Sequence, residues 1–385
     1  MAGRSRWCRA MVAVSALTLT LVGCGSGDDA GSPSSPPGGS EAAFDAEEYF
    51  GGKTVQMIVT SSPGGNTDLF GRFVANKLSE QIPGRPRVAV TNEGGLGGIA
   101  DVYEAPDEAL VIGATARSSG IYGTADDPAA KQDPNNIQVI GGLAGEPRGW
   151  AVFGELTGMF ENINDAVGSP VPFRLASTVG GPGEVESDVF LYSWLCTSLQ
   201  LNCEYVNVAD DSSSDINLMI ERREVNLNGA DRLTVMRDYL PRMRDGSGQL
   251  LFQYAQTEQN AQPLPEGIEA GDLRDELPEN LRGEYDKILP LISSGLLGNM
   301  VWAGPAMPAD AVDVLRDAYA AVMADPANVE QLTTLLSGDT TDFEYRSIPL
   351  SGQEAVDAYN SSNGVYQENK DFLQGLREQF VDLWN

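Results

Sequence analysis

Three stretches of the chain carry residue types suited to holding a small molecule by its charge. They are Ser61-Ser62-Pro63-Gly64-Gly65-Asn66-Thr67-Asp68, Thr91-Asn92-Glu93-Gly94-Gly95-Leu96-Gly97-Gly98-Ile99 and Thr178-Val179-Gly180-Gly181-Pro182-Gly183. In the first, paired glycines let the backbone turn sharply and come close to a ligand, while Thr67 or Asp68 can cap a following helix. A junction of this kind aims unpaired N–H groups and the positive end of the helix dipole at one point, which suits a carboxylate or a phosphate. The same Pro-Gly-Gly also serves as the turn any βα unit needs, so spacing alone leaves both readings open. The second stretch packs two G-G pairs into one loop, which close backbone approach explains better than a simple turn. Its spacing is not the G-x-G-x-x-G of a dinucleotide fingerprint. Arg117, in Thr115-Ala116-Arg117-Ser118-Ser119-Gly120 after a third strand, is the only fixed cation among the loops that end the first three strands, and reads equally as a counter-ion or as a solvated loop arginine.

The chain has no histidine, which removes Ser-His-Asp and Cys-His hydrolysis, His-ligated zinc and histidine pH switches in one step. A carboxylate-pair hydrolase using Asp68 with Asp231 or Asp210 is the enzyme design left over. Lacking a cysteine nucleophile or a metal cluster, the chain is expected to bind rather than catalyse, and no cofactor or metal is called for. The formal net charge of −30 excludes nucleic acid as the default partner, because phosphate backbones are held by clustered Lys and Arg. It also means that long-range field cannot draw in an anion. Such a ligand has to be held by aimed donors at short range, within a Debye length of about 8 Å.

The elements that must position these residues can be read around them. Val55, Met57, Ile58 and Val59 form an apolar run like a buried parallel strand, and Leu69, Phe70, Phe73, Val74 and Leu78 recur at helical spacing just beyond the first glycine pair. Arg87–Val90 and Ala109–Ala114 are expected as further strands, so three parallel strands end in small polar loops at one sheet edge. A second set follows: Gln138–Leu143, Gly149–Phe153, Phe173–Ser177, Tyr205–Val208, Val225–Leu227 and Leu250–Tyr254 read as strands. Gly145-Glu146-Pro147 stands between the sets as a hinge. Helices are expected over Val185 to Leu199 and around Ile216, Met219 and Ile220, the latter after Ala209-Asp210-Asp211-Ser212-Ser213-Ser214, where Ser212 and Ser214 read first as caps. Residues 257–289 look like a polar excursion without a period. Met300–Ala303 reads as a returning strand, and helices marked by Val312 to Val322, Val329 to Leu335 and Val356 to Leu383 serve packing.

At 385 residues and 42% hydrophobic content, two lobes with real cores are the prior expectation. Arg4, Arg6 and Arg9 precede an apolar stretch, Met11–Val22, that is too short for a stable membrane anchor and reads as a signal peptide over residues 1–23. It ends in Leu21-Val22-Gly23-Cys24, which resembles a bacterial lipobox, so Cys24 is the expected lipidation site. Residues 24–47 open with Gly, Ser, Pro, Asp and Ala, a composition that buries nothing and is expected to be a disordered tether. Cys196 and Cys203 stand seven apart. Outside the cytoplasm this separation favours a local disulfide, with two buried thiols as the alternative.

These residues together resemble the extracytoplasmic solute receptors of the tripartite tricarboxylate transporters, the Bug or TctC-like proteins, over roughly Gly52 to Asn363. Pro63-Gly64-Gly65-Asn66-Thr67-Asp68 with Arg72 matches that family's P-G-G-x-x-D-x-x-x-R pattern, and Asn92 with Gly94–Gly98 its N-x-x-G-x-G-G segment. Ala176–Gly183 resembles its second small-residue loop, and Ala303-Gly304-Pro305-Ala306-Met307-Pro308 its A-P-A-G-x-P turn. The resemblance implies an α/β fold of the periplasmic-binding-protein type II kind, with a ligand cleft between two lobes, 48–145 plus 300–385 and 146–299. It also implies Ser62, Gly65, Thr67, Asp68, Gly97, Thr178, Gly180 and Asp231 as ligand-binding residues, joined by Arg117 from the loop reading. The implied protein is a monomeric, lipid-anchored receptor on the extracytoplasmic face that captures a small carboxylate for integral-membrane permease subunits. A sensor signalling to a membrane kinase is the alternative. Where relatives have Tyr-Lys-Gly, this chain has Ala209-Asp210-Asp211-Ser212, which leaves room for an amide, a zwitterion or a monocarboxylate.

Overall fold

The computed structural model describes residues 44–125, 130–177, 187–207, 213–257, 260–293, 296–338, 343 and 345–381. Among these described residues the strands are β1 (Thr54–Val59), β2 (Arg87–Asn92), β3 (Val111–Thr115), β4 (Gln138–Ala144), β5 (Arg148–Phe153), β6 (Phe173–Ser177), β7 (Cys203–Asn207), β8 (Leu227–Asp231), β9 (Gly248–Tyr254), β10 (Gly271–Asp272), β11 (Leu297–Ala303) and β12 (Pro349–Ser351). They form two six-stranded sheets, ordered β12-β4-β11-β3-β1-β2 and β10-β9-β5-β8-β6-β7. In the first, β2 and β3 run parallel to β1 and the inserted β11 runs antiparallel to β3 and β4. The second repeats the plan: β7 and β8 run parallel to β6, and β5 runs antiparallel to β8 and β9. Each antiparallel insert is the first strand the chain lays down after arriving from the other sheet. The chain therefore crosses between the sheets after β4 and again before β11, as in a two-lobed fold with crossing segments.

The central strands form where β-branched and apolar residues concentrate. Val55, Met57, Ile58 and Val59 are all buried, because the Asn66–Gln81 helix covers one face of the sheet through Phe70, Val74 and Leu78 while Ile58 joins the apolar cluster on the other. Gly113 in β3 is needed for close approach. A Cβ there would stand 2.6 Å from the Trp302 indole nitrogen, which instead donates to Thr115 Oγ1 at 2.9 Å and fixes the strand end that leads to Arg117.

Gly145-Glu146-Pro147 is the first connection between the two sheets, joining β4 to β5. Three readings change. Gly95–Tyr103 is a helix, so the glycine-dense loop is its first turn, stabilised by burial of Ile99, Ala100 and Val102 despite poor intrinsic propensity. The strand expected at Val225–Leu227 begins at Leu227 and runs through Asn228-Gly229-Ala230-Asp231, because these residues pair with Ala151 to Arg148 of β5. The 257–289 segment runs into the Glu279–Ile292 helix, whose buried Tyr285, Ile288, Leu291 and Ile292 share one face while Gly283 and Pro290 break the pattern. The C-terminal helices, Gly352–Glu368 and Lys370–Val381, span both halves: Tyr359 and Tyr366 pack on Tyr122, and Phe380 meets Phe190 at 5.2 Å.

Cys196, in the Ser187–Ser198 helix, forms a disulfide with Cys203 at the start of β7. The closed loop is short, so chain entropy limits its contribution to about 2–3 kcal/mol. Replacing both cysteines by serine is expected to lower unfolding free energy by that amount in denaturant titration and leave the fold intact.

Candidate functional site

A cavity of about 580 Å³ opens where the C-terminal ends of β1, β3, β4, β6 and β8 meet the first residues of β5 and β11. Ligands of open α/β sheets bind at this edge, where neighbouring connections diverge to opposite faces. Residues of both sheets line it, so it lies between the two halves.

Its first wall is the loop Ser61–Gly65 and the first turn of the Asn66–Gln81 helix. Gly64 adopts φ +87°, a conformation costly for any other residue. Gly65 is the N-cap and supplies no side-chain hydrogen bond, so the first-turn amides of Asn66 and Thr67 carry no side-chain cap where they border the cavity. The Ser61 hydroxyl is buried at the same wall without a hydrogen-bond partner. The helix start is fixed from outside: Thr67 Oγ1 donates to Asn299 Oδ1 at 2.9 Å, and Arg237 Nη1 crosses from the second half to Asn66 Oδ1 at 3.0 Å. Arg237 lies in a π-type turn, Val235–Tyr239, an irregularity that often accompanies functional sites.

Asp68 stands behind this wall. Its carboxylate accepts from Gly64 N–H at 2.9 Å and from Asn92 Nδ2 at 2.8 Å, and it pairs with Arg72 Nε at 2.9 Å. Arg72 Nη2 also donates to Asn92 Oδ1 at 2.7 Å, and Asn92 Nδ2 reaches the Ser61 carbonyl at 3.1 Å. Burial opposes the charge on Asp68, yet these donors hold its carboxyl below the ordinary carboxylate range. Asp68 thus shapes the glycine loop from the side away from the cavity. Asp68→Ala is expected to cost about 2–4 kcal/mol, since several hydrogen bonds to one buried charge are lost together. Ligand affinity is expected to fall about tenfold through the loosened loop, read by denaturation and calorimetry on the same variant.

The opposite wall holds a buried ionic network. Arg148, at the start of β5, is 4% exposed and donates through Nε to Asp188 Oδ1 at 3.2 Å and to the Tyr254 hydroxyl at 3.0 Å, while its Nη2 pairs with Asp188 Oδ2. Tyr254 in turn donates to Asp188 Oδ1 at 2.5 Å. Burial would raise the Asp188 carboxyl, but the Arg148 and Arg117 charges and these hydrogen bonds hold it below its ordinary value. Arg117, from the first half, approaches Asp188 of the second at 3.8 Å and so spans the cleft. Asp231 faces Arg148 across the β5–β8 pair and caps the next turn by accepting from Thr234 N–H at 2.8 Å. Glu146 accepts from the Tyr345 hydroxyl at 2.7 Å and from Leu233 N–H at 3.2 Å. Burial and the Asp231 charge push its carboxyl up to about 7, against those two donors and Arg148.

Ser62, Gly65, Thr67, Arg117 and Asp231 are therefore brought to one cavity. Asp68 supports the loop from behind, and Gly97 lies in the first turn of the Gly95–Tyr103 helix, away from the lining residues. Thr178, Gly180, Asp210, Asp211, Ser212 and Cys24 lie outside the described residues. Arg117 is not the only cation present, since Arg148 and Arg237 also line the cavity. Sequence reasoning also missed Ser61, Asp188 and Asn299, and placed Glu146 only as hinge. The available signal was a lone charge in an apolar context: Arg148 opens the apolar strand R-G-W-A-V-F, and Asp188 precedes V-F-L-Y-S-W-L.

No family model matches the chain, and no curated protein sequence matches it. Among solved structures it is similar to the periplasmic binding protein BugD, at 16% identity and TM-score 0.54 over 86% of this chain and 97% of that one. It is also similar to a Rhodopseudomonas palustris protein solved with adipate, at 15% identity and TM-score 0.58 over 85% and 98% of the two chains. MatC of the same organism, solved with malate, superposes at 14% identity and TM-score 0.52 over 86% and 99%. The chain thus has the two-lobed α/β fold of periplasmic solute-binding proteins and resembles the tripartite tricarboxylate receptors in fold.

Proposed function

We propose that this chain is an extracytoplasmic solute receptor of the tripartite tricarboxylate type, which closes on a small carboxylate and presents it to integral-membrane permease subunits. One observation carries the reading. The uncapped start of the Asn66–Gln81 helix borders a cavity between the two halves, with a neutralised arginine network on the facing wall. Helix-start amides hold a carboxylate by short, charge-assisted bonds and need no basic surface, which reconciles an anionic ligand with a chain of net charge −30. The adipate and malate bound to proteins of this fold are consistent with that ligand class.

On this reading Ser62, Gly65, Thr67, Arg117 and Asp231 contact the ligand or its waters, joined by Ser61 and Asn66. Thr178 and Gly180 complete the second wall, and Asp68 and Gly97 act through the loops they support. Residues 48–145 with 300–385 form one lobe and 146–299 the other, except that the second boundary moves back to Leu297, where β11 joins the first sheet. A lipid on Cys24 holds the monomer to the membrane through a tether that ends short of the 24–47 expected for it, because Asp45 caps the Ala46–Phe50 helix and Phe44 and Ala46 pack against the core. Calorimetric titration with mono-, di- and tricarboxylates and amino acids tests the proposal. Saturable one-to-one binding of at least one carboxylate is expected, and an inert panel would reject it.

A further inference from the structure

We propose that Glu146 takes up a proton when a carboxylate enters the cavity, so that occupancy of this receptor is set by pH as well as by ligand concentration. The inference rests on the carboxylate-receptor reading and extends it to the charge balance of the same cavity.

The geometry places Glu146 where a ligand's charge would be felt. It lies in the three-residue crossing between β4 and β5 and lines the cavity. One carboxylate oxygen holds the Tyr345 hydroxyl, from the segment leading to β12 of the first sheet; the other holds Leu233 N–H, just beyond β8 of the second. The carboxylate therefore ties the two halves together at the hinge.

The charged and titratable groups facing it are Asp231 from β8, Arg148 from β5, Arg232 from the turn after β8, and Tyr345. None neutralises it by an ion pair. Arg148 is committed to Asp188 and Tyr254, and both terminal nitrogens of buried Arg232 make no hydrogen bond. Asp231 adds a like charge. Glu146 is consequently poised near neutrality with its carboxyl at about 7.

An entering anion brings another like charge into the same low-dielectric space, which favours the protonated carboxyl further. The sign follows from linkage: a ligand that raises a pKa binds together with a proton, so affinity is higher at low pH and falls as pH rises through the unliganded value. A protonated Glu146 keeps an oxygen for Tyr345 or Leu233 and gains an O–H to donate into the cavity. The same event thus removes a repelling charge and adds a donor.

The test is calorimetry of the full chain with malate, adipate, succinate, benzoate and glutamate in phosphate and in Tris at pH 7, followed by titrations from pH 6 to 8.5. For the best ligand, the difference in binding heat between buffers is expected to correspond to uptake of about half a proton at pH 7. Affinity is expected to fall up to about tenfold per pH unit above 7. Glu146→Gln, which keeps an acceptor for Tyr345, is expected to abolish the uptake and flatten the pH profile. Binding with equal heats in both buffers and a flat wild-type profile would overturn the proposal while leaving the receptor reading intact, and uptake that persists in Glu146→Gln would assign the proton elsewhere. No binding by any compound at pH 6 would overturn the receptor reading and this inference with it.

Discussion

Asp188→Ala is expected to lower unfolding free energy by about 3–5 kcal/mol, because it leaves the Arg148 guanidinium buried at 4% exposure without its counter-charge. The loss exceeds that of a surface pair, which is worth at most about 1 kcal/mol, since Arg148 cannot recover water without opening the sheet edge. Tyr254 loses its acceptor in the same step, and Arg117 loses its partner across the cleft, so closure on ligand weakens along with the fold. Replacing Arg148 by Met in the Asp188→Ala background is expected to recover much of the stability, because no lone buried charge then remains. Affinity is not expected to return. The pH dependence has a definite sign. The Asp188 carboxyl lies below its unfolded value, so its contribution is complete above that value and disappears as pH falls through the folded one. Urea denaturation of the single and double variants at neutral and acidic pH measures both effects.

Gly65→Asp is expected to move stability and affinity in opposite directions. Gly65 is an N-cap with ordinary extended backbone, φ −77° and ψ 170°, and open space around a Cβ, its nearest atom being 3.8 Å away. An aspartate there can accept from the first-turn amides of the Asn66–Gln81 helix, as N-cap aspartates do, and is expected to leave stability unchanged or raise it by a few tenths of a kcal/mol. Those are the amides proposed to hold the ligand carboxylate. With them occupied and a negative charge beside them, affinity is expected to fall at least about 100-fold, corresponding to two charge-assisted hydrogen bonds. A variant that melts no lower than wild type yet no longer binds would separate the site from the fold. Retained affinity would show that the helix start is not where the ligand sits.

What was legible in the sequence depended on range. The strands ending at the cavity were visible because strands buried on both faces read as apolar runs such as Val55 with Met57 to Val59, and the Pro-Gly-Gly turn with Asp68 and Arg72 pointed to a single loop. The role of Asp68 was not, because its partners include Asn92 on another strand and the Gly64 amide four residues back. Gly94–Gly98 reads as loop because two G-G pairs suggest close backbone approach, while burial of Ile99 and Val102 makes it the start of a helix. The Arg148–Asp188–Tyr254 network joins residues 40 and 66 positions apart in the chain, so only the packing of β5, β9 and the Ser187–Ser198 helix brings it together. Each charge was nevertheless conspicuous against its apolar neighbours. A buried charge implies a buried partner even when the partner's identity is out of reach.

The most direct test of the account is a crystal structure with the tightest-binding carboxylate of the panel. The account predicts a carboxylate group of the ligand in the cavity between the two sheets, its oxygens about 3 Å from the Asn66 and Thr67 amides, with Arg117 and Asp188 still paired across the closed cleft. A ligand seated elsewhere, with those amides facing only water, would contradict it.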